Sequence, residues 1–314
     1  MPLAVVAFGG NAILQPGQRG TVAEQAANLA AMAEALAALL AAGWQVVVIH
    51  GNGPQVGNLV LQQEAAAPDV PPQPLDVCGA MSQGQLGYLL AQALDAAFAA
   101  RGWPYTAVGL LTRCVVDPAD LAFATPSKPI GPFYDPATAA YLRAERGWTL
   151  VQDAGRGWRR VVPSPRPLRL VERAALRQLL APGLVVLCCG GGGVPVVERP
   201  DGRLEGVEAV IDKDLAASLV ARELAADALL LLTAVPEVRL HFGTPQERPL
   251  RDVPLAELEA YARAGHFAAG SMGPKVEAAC EFVRAGGAQA LITAPAHVLA
   301  ALQGRAGTRV RREL

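Results

Sequence analysis

Only three lysines occur in this chain, Lys128, Lys213 and Lys275; the rest of its 27 basic residues are arginine. Asparagine is nearly as scarce, at Asn11, Asn28, Asn52 and Asn58. Where composition drifts from Lys to Arg, lysine persists where a compact ammonium must reach one oxygen and a broad guanidinium does not fit. The contexts agree. Lys128 lies in P-S-K-P-I-G-P, Lys213 stands between Asp212 and Asp214, and Lys275 follows G-S-M-G-P. None belongs to a run of solvated charges. Such ammonium groups suit the neutralisation of a multiply charged oxyanion, phosphate above all. Asp214, an acid beside a lysine near a helix start, fits a place in the site better than a mere partner of the helix N-terminus. Asp212 fits equally well as a partner of a helix N-terminus.

Four glycine-rich segments could cradle that anion. They are Gly9-Gly10-Asn11, Gly51-Asn52-Gly53-Pro54-Gln55-Val56-Gly57, Gly190 to Gly193, and Gly270-Ser271-Met272-Gly273-Pro274-Lys275. Glycine lets the backbone approach a ligand closely, and helix N-termini favour anions. Pro54 and Pro274 suit a first helical turn. No G-x-x-x-x-G-K-[ST] occurs, and the glycines at 51, 53 and 57 miss the G-x-G-x-x-G spacing. Neither a P-loop nor a nicotinamide-binding loop is expected.

These loops need strands and helices to hold them. Apolar strand-like runs occur at Leu3–Phe8, Gln45–His50, Thr106–Leu111, Leu184–Cys189, Leu229–Thr233 and Gln289–Thr293. Helical stretches separate them: Ala23–Ala42, Pro54–Glu64, Ser82–Ala100, Leu215–Ala226, Pro254–Ala264, Pro274–Ala285 and Ala296–Gln303. Continuous apolar strands alternating with helices predict an α/β, three-layer αβα sandwich around a mainly parallel sheet. Ligands then gather at the carboxyl ends of the strands, so the Gly loops should share one cleft. The stretch Asp117–Pro167, rich in Pro, Gly, Tyr and Trp, breaks the rhythm and reads as an inserted subdomain or lid rather than an ordinary long irregular connection. Within it Trp148–Gln152 and Trp158–Val162 form a hairpin around Ala154-Gly155-Arg156-Gly157.

Composition narrows the function. The chain has 314 residues, about two domains at ~150 each, with 52% hydrophobic and 18% charged residues. Disorder is excluded as the overall state. A net charge of −1 argues against nucleic acid as partner. No apolar run is long enough for a transmembrane helix, and no signal peptide is expected. Cys78, Cys114, Cys188, Cys189 and Cys280 contain no C-x-x-C and read as buried thiols of a reducing cytoplasm. His50, His241, His266 and His297 are scattered, so no dedicated zinc site is expected.

Eight segments together resemble the carbamate kinases of the amino-acid kinase superfamily: F-G-G-N-A (Phe8–Ala12), H-G-N-G-P-Q-V-G (His50–Gly57), D-V-C-G-A-M-S-Q-G (Asp76–Gly84), K-P-I-G-P-F-Y (Lys128–Tyr134), V-V-P-S-P (Val161–Pro165), C-G-G-G-G-V-P-V (Cys189–Val196), G-V-E-A-V-I-D-K-D-L-A (Gly206–Ala216) and G-S-M-G-P-K-V-E-A-A (Gly270–Ala279). They run in order along nearly the whole chain. The resemblance implies an N-terminal lobe, about 1–180, for carbamate or carbamoyl phosphate, with a protruding subdomain at about 117–167. It implies a nucleotide-binding lobe at 181–314, small-molecule substrates, and a homodimer. The cofactors would be ATP or ADP with Mg²⁺, the metal held mainly by nucleotide phosphates rather than by the protein.

By the same resemblance Lys128, Lys213, Lys275 and Asp214 would be catalytic. Gly9, Gly10, Asn11, Gly51, Asn52 and Gly53 would line the carbamate and phosphoryl side. Thr233, Ala234, Val235, Ser271, Met272 and Lys275 would face the nucleotide. Many amino-acid kinases carry a lysine before the first Gly pair. Here that region reads A-F-G-G-N, and Lys128 would supply the charge. The segment Thr233–Gly243 departs from the family pattern: Pro236 removes an acidic side chain and a backbone donor, and Arg239 replaces an aromatic. The implied reaction is reversible phosphoryl transfer between carbamoyl phosphate and ADP. Alternatives on the same fold are a kinase for another small carboxylate or acyl phosphate, and a non-catalytic nucleotide- or metabolite-binding regulator.

Overall fold

The computed structural model describes residues 1–15, 17–152, 157–268 and 270–313, with Asn11 described by its backbone only. An eight-stranded sheet forms the middle layer. Its spatial order is Asp252–Pro254, Thr308–Arg311, Gln289–Thr293, Ala228–Leu232, Leu3–Phe8, Gln45–His50, Leu184–Leu187 and Thr106–Gly109. All neighbours are parallel except Gln289–Thr293 and Thr308–Arg311.

The central strands are buried along their whole length, as apolar runs covered on both faces must be. Their period-2 alternation divides them between two cores. Val5, Ala7, Val47, Ile49 and Leu231 face one layer. Ala4, Val6, Phe8, Val46, Val48 and Leu230 face the other. The helices, in chain order, are α1 Val22–Ala41, α2 Gly53–Ala66, α3 Leu75–Ala99, α4 Pro136–Arg146, α5 Arg173–Leu179, α6 Lys213–Glu223, α7 Leu255–Arg263, α8 Met272–Arg284 and α9 Val298–Leu302. Leu29 and Leu36 of α1 and Leu86 and Leu90 of α3 cover the second face. Val220 of α6 and Val276 and Val283 of α8 cover the first. Helix α1 starts at a capping box: Glu24 N–H donates to Thr21 Oγ1 at 3.3 Å, and Thr21 N–H donates to the Glu24 carboxylate at 2.8 Å.

Several elements differ from the sequence expectation. Helix α3 begins seven residues before Ser82. Gly79, in the part of the helix before Ser82, costs about 1 kcal/mol against Ala. Burial of Cys78, Ser82 and Gln83 holds the turn in the helix nonetheless. A second sheet, Leu204–Gly206, Val194–Glu198, Arg113–Val115 and Arg169–Leu170, was not foreseen because its strands are too short to show a pattern. The irregular stretch carries a three-stranded antiparallel sheet, Lys128–Tyr134, Trp158–Val162 and Leu150–Gln152, backed by α4. The expected hairpin pairs Leu150 with Arg160 and Gln152 with Trp158; its turn residues 153–156 lie outside the described residues. The Asp135 side chain caps α4 by accepting from Thr138 N–H at 2.9 Å, and Arg143 stacks 4.2 Å above the Trp158 ring.

This small sheet reaches the body through a contact only glycine allows. A Cβ on Gly57 of α2 would lie 2.0 Å from Gly131 Cα, and Gly131 has φ +71°. Glu64 of α2 adds ion pairs to Arg146 and Arg160 at 3.7 and 3.6 Å. Among the described residues no helix is long and apolar enough to cross a membrane.

Candidate active site

Parallel strands deliver their following loops to one edge. Gly9 and Gly10 follow Phe8, Gly51 to Gly53 follow His50, and Thr233 and Ala234 follow Leu232, all from strands adjacent in the sheet. Two cavities open there. One, of about 310 Å³, is lined by Gly9, Gly10, Thr233, Ala234, Ser271 and all three lysines. The other, of about 480 Å³, is lined by Gly51, Asn52, Gly53, Arg159 and Gly191, and shares Gly10, Lys128, Lys213, Gly270 and Ser271 with the first.

All three lysines line the first cavity, and Lys128 and Lys213 also border the second, although 147 positions separate Lys128 from Lys275. Each comes from a different element: Lys128 opens the first strand of the protruding sheet, Lys213 is the first residue of α6, and Lys275 lies in the first turn of α8. Asp214 is 1% exposed and draws two of them together. Its Oδ2 accepts from Lys275 Nζ at 2.9 Å and from Lys213 Nζ at 3.0 Å. Its Oδ1 is buried without a hydrogen-bond partner among the described residues. Asp212 is the N-cap of α6: its Oδ1 accepts from Asp214 N–H at 2.8 Å, and its Oδ2 takes Lys128 Nζ.

Burial and neighbouring charge compete at each group. Burial alone would discharge Lys213, but Asp214 and then Asp212 outweigh it and hold the ammonium above its usual range. Lys275 is pushed down, first by burial and second by the Lys213 charge, with Asp214 only partly compensating. Burial also opposes the Asp212 charge, yet Lys128 and Lys213 together hold its carboxyl well below the ordinary range. His50, at the head of the second Gly loop, is buried and its pKa falls to about 4 because of that burial. It is a neutral ring whose Nδ1 donates to Gly51 O at 3.1 Å.

Other expected site residues fall into place unevenly. A Cβ on Gly51 would stand 2.9 Å from Gly10 N and 3.1 Å from Lys213 Cδ, so the loop stays open only as glycine. Asn52 borders the second cavity, but its Nδ2 is turned to Ser82 Oγ of α3 at 2.7 Å. Asn11 sits in a single 3₁₀ turn, Gly10–Ala12, and its side chain is outside the described atoms. Met272 packs against the main core, and neither it nor Val235 lines either cavity. The Gly190 to Gly193 loop folds on itself: Gly192 N–H donates to Cys189 O, and Gly193 N–H to Gly190 O. Only Gly191 of that loop reaches the second cavity, pressed against the Asn52 amide. The departing residues Pro236 and Arg239 line neither cavity; Arg239 pairs with Glu247 at 2.8 Å and Glu237 at 3.2 Å.

Arg159 was not foreseen. It enters the second cavity from the Trp158–Val162 strand, and its guanidinium lies 5.2 Å from the Phe133 ring. In a chain where arginine is abundant, residue scarcity gave it no signal; only its strand position could have.

The described residues contain no group of three or more His, Cys, Asp or Glu side chains placed to hold a metal. Among the described residues, the lining of the two cavities includes three ammonium groups, one guanidinium and two carboxylates, a lining suited to a multiply charged anion.

The amino acid kinase family model matches residues 2–294. A carbamate kinase of Pyrococcus horikoshii is 49% identical over 308 residues, covering 98% of each chain. Among solved structures, carbamate kinase from Giardia lamblia bound to citric acid superimposes with a TM-score of 0.93, at 44% identity over 99% of this chain and 98% of that one. The same enzyme bound to AMP-PNP gives 0.89, at 45% identity and the same coverage. The chain belongs to the amino acid kinase family and, within it, to the carbamate kinases.

Proposed function

We propose that this protein transfers a phosphoryl group reversibly between carbamoyl phosphate and ADP, giving carbamate and ATP. The observation that carries the reading is the convergence of Lys128, Lys213 and Lys275 on one cavity, with Lys128 and Lys213 also bordering the second. The cavity holding Thr233, Ala234, Ser271 and Lys275 would take the nucleotide phosphates, in keeping with the Giardia relative that binds AMP-PNP. The cavity holding Gly51, Asn52, Gly53 and Arg159 would take carbamate or the carbamoyl group. Residues 1–180, with the protruding sheet, then form the acceptor lobe, and 181–314 the nucleotide lobe. The open sheet edge at Thr106–Gly109, with Tyr88 and Leu111 exposed beside it at 63% and 52%, supports a homodimer. Five buried free cysteines support a cytoplasmic location.

The carbamate oxygen is already anionic, so the transfer needs no general base. His50, neutral and committed to Gly51 O, is not asked to be one. Positioning and charge neutralisation remain. The moving group passes between two anions, and at ~4 Å and an effective dielectric of ~20 each like-charge contact costs about 4 kcal/mol. Lys213 and Lys275, fixed on one Asp214 oxygen, would hold the nucleotide side of that charge, and Lys128 the acceptor side. The backbone around Gly9, Gly10 and Gly51 leaves room for phosphoryl oxygens to reach the ammonium groups. Magnesium bound to the nucleotide would neutralise further phosphate charge. The donor set suits an ion that arrives with its ligand: both carboxylates already serve lysines, and Asp214 Oδ1 alone is unpartnered.

A coupled assay for ATP formation tests this. Turnover with carbamoyl phosphate and ADP, and little with acetyl phosphate, is expected; acetyl phosphate as the better donor would favour a different acyl-phosphate kinase, and activity with neither a regulator. Two variants refine the assignment. Lys128→Arg should lower kcat by ~10-fold or more, because a planar fork cannot take the place of one ammonium at the cavity junction. Full activity in that variant would remove the special role of lysine there. Arg159→Ala should raise KM for carbamoyl phosphate about tenfold while leaving KM for ADP unchanged, as expected of a group that binds donor and transition state alike. Equal effects on both substrates would place Arg159 outside the acceptor compartment.

A further inference from the structure

We infer that Asp212 is a positioning residue that holds the lid lysine, Lys128, at the cavity junction through one carboxylate oxygen while capping α6 with the other. The consequence for turnover rests on the phosphoryl-transfer reading; the pairing itself does not. An N-cap needs one neutral acceptor, and Ser, Thr or Asn serve as well as Asp. A carboxylate with only 8% exposure is costly unless its charge is paired. Capping therefore accounts for Oδ1, bound to Asp214 N–H, and leaves Oδ2 to Lys128, with the charge facing Lys128 first and Lys213 next.

The partner comes from far away in the fold. Lys128 is 84 positions upstream and begins the strand Lys128–Tyr134, which connects to the body where Gly131 meets Gly57. Asp212 thus ties the protruding sheet to the start of α6, the turn that also carries Lys213 and Asp214. The hydrogen bonds divide between the two acids: Asp214 accepts from Lys213 and Lys275, and Asp212 accepts from Lys128. An ammonium has three donors, so Lys128 can keep one on Asp212 and turn the others to a phosphoryl oxygen. A four-carbon stem on a projecting strand would otherwise explore many positions.

A double-mutant cycle tests this. Asp212→Asn keeps the capping oxygen and removes the charge. It should lower kcat by ~10-fold, and in the Lys128→Ala background most of that effect should vanish, as expected when one residue acts mainly through the other. Effects that multiply would overturn the inference and leave Asp212 a cap alone. Amide hydrogen exchange on the unliganded protein gives a readout that needs no turnover and survives poor folding of the Asp212 variant. Residues 128–134 should exchange several-fold faster in Lys128→Ala than in wild type, since the tie to α6 is lost; equal exchange would contradict it. Should wild type form no ATP from carbamoyl phosphate, the transfer reading fails and the exchange comparison still decides this one.

Discussion

Lys213→Ala is expected to lower kcat by ~10²-fold or more, the usual cost of removing one preorganised group that meets charge developing in the transition state. The side chain is fixed on three sides. Its Nζ donates to Asp214, its stem passes Gly51, and its end lies against Gly9. Of the three lysines only Lys128 and Lys213 border both cavities, and Lys213 comes from the rigid first turn of a helix. The charge is also secured, because Asp214 and Asp212 hold it above its ordinary range despite burial. The loss should fall on kcat and kcat/KM together, the pattern of an interaction made in the transition state. Lys275→Ala should behave alike. Steady-state kinetics on variants with wild-type circular dichroism checks this, and near-normal turnover in both would remove the roles assigned to them.

Asp214→Ala should fail in stability as well as in rate. Removing one partner of a buried ion pair usually costs ~3–5 kcal/mol, because the remaining charge is left uncompensated. Here one oxygen serves two ammonium groups, and both would lose their acceptor at once. Lys275, already pushed down by burial and by the Lys213 charge, would lose the carboxylate that offsets both. A lower urea midpoint and a kcat loss exceeding that of Lys275→Ala are expected. Asp214→Asn, which keeps an acceptor oxygen but no charge, should fall between. An unchanged midpoint for Asp214→Ala would mean that the carboxylate does not organise the cluster.

Much of this was legible from residue type. Lysine scarcity singled out three positions that the fold brings to one cavity. Long, fully buried strands such as Leu3–Phe8 and Gln45–His50 were readable because their apolar runs have one interpretation beside long helices. Most strands of the second sheet, at two or three residues, carried no period, and Gly79 hid the first two turns of α3. Within the site, sequence could name Asn52 but not the direction of its amide, which Ser82 sets from thirty positions away. It could place Gly190 to Gly193 after a strand, but not foresee that the loop would close on its own carbonyls. Arg159 was missed because only its register on a lid strand brings it to the cavity. Asp212 fitted two roles in the sequence; the structure gives one to each of its oxygens.

The most direct measurement is a crystal structure with ADP and a planar fluoride mimic of the phosphoryl group in flight. The expected result is that Nζ of Lys128, Lys213 and Lys275 all lie at hydrogen-bond distance, ~2.7–3.2 Å, from the mimic or the oxygens on either side of it. A mimic bound elsewhere, or any one of the three turned away from it, would contradict the account.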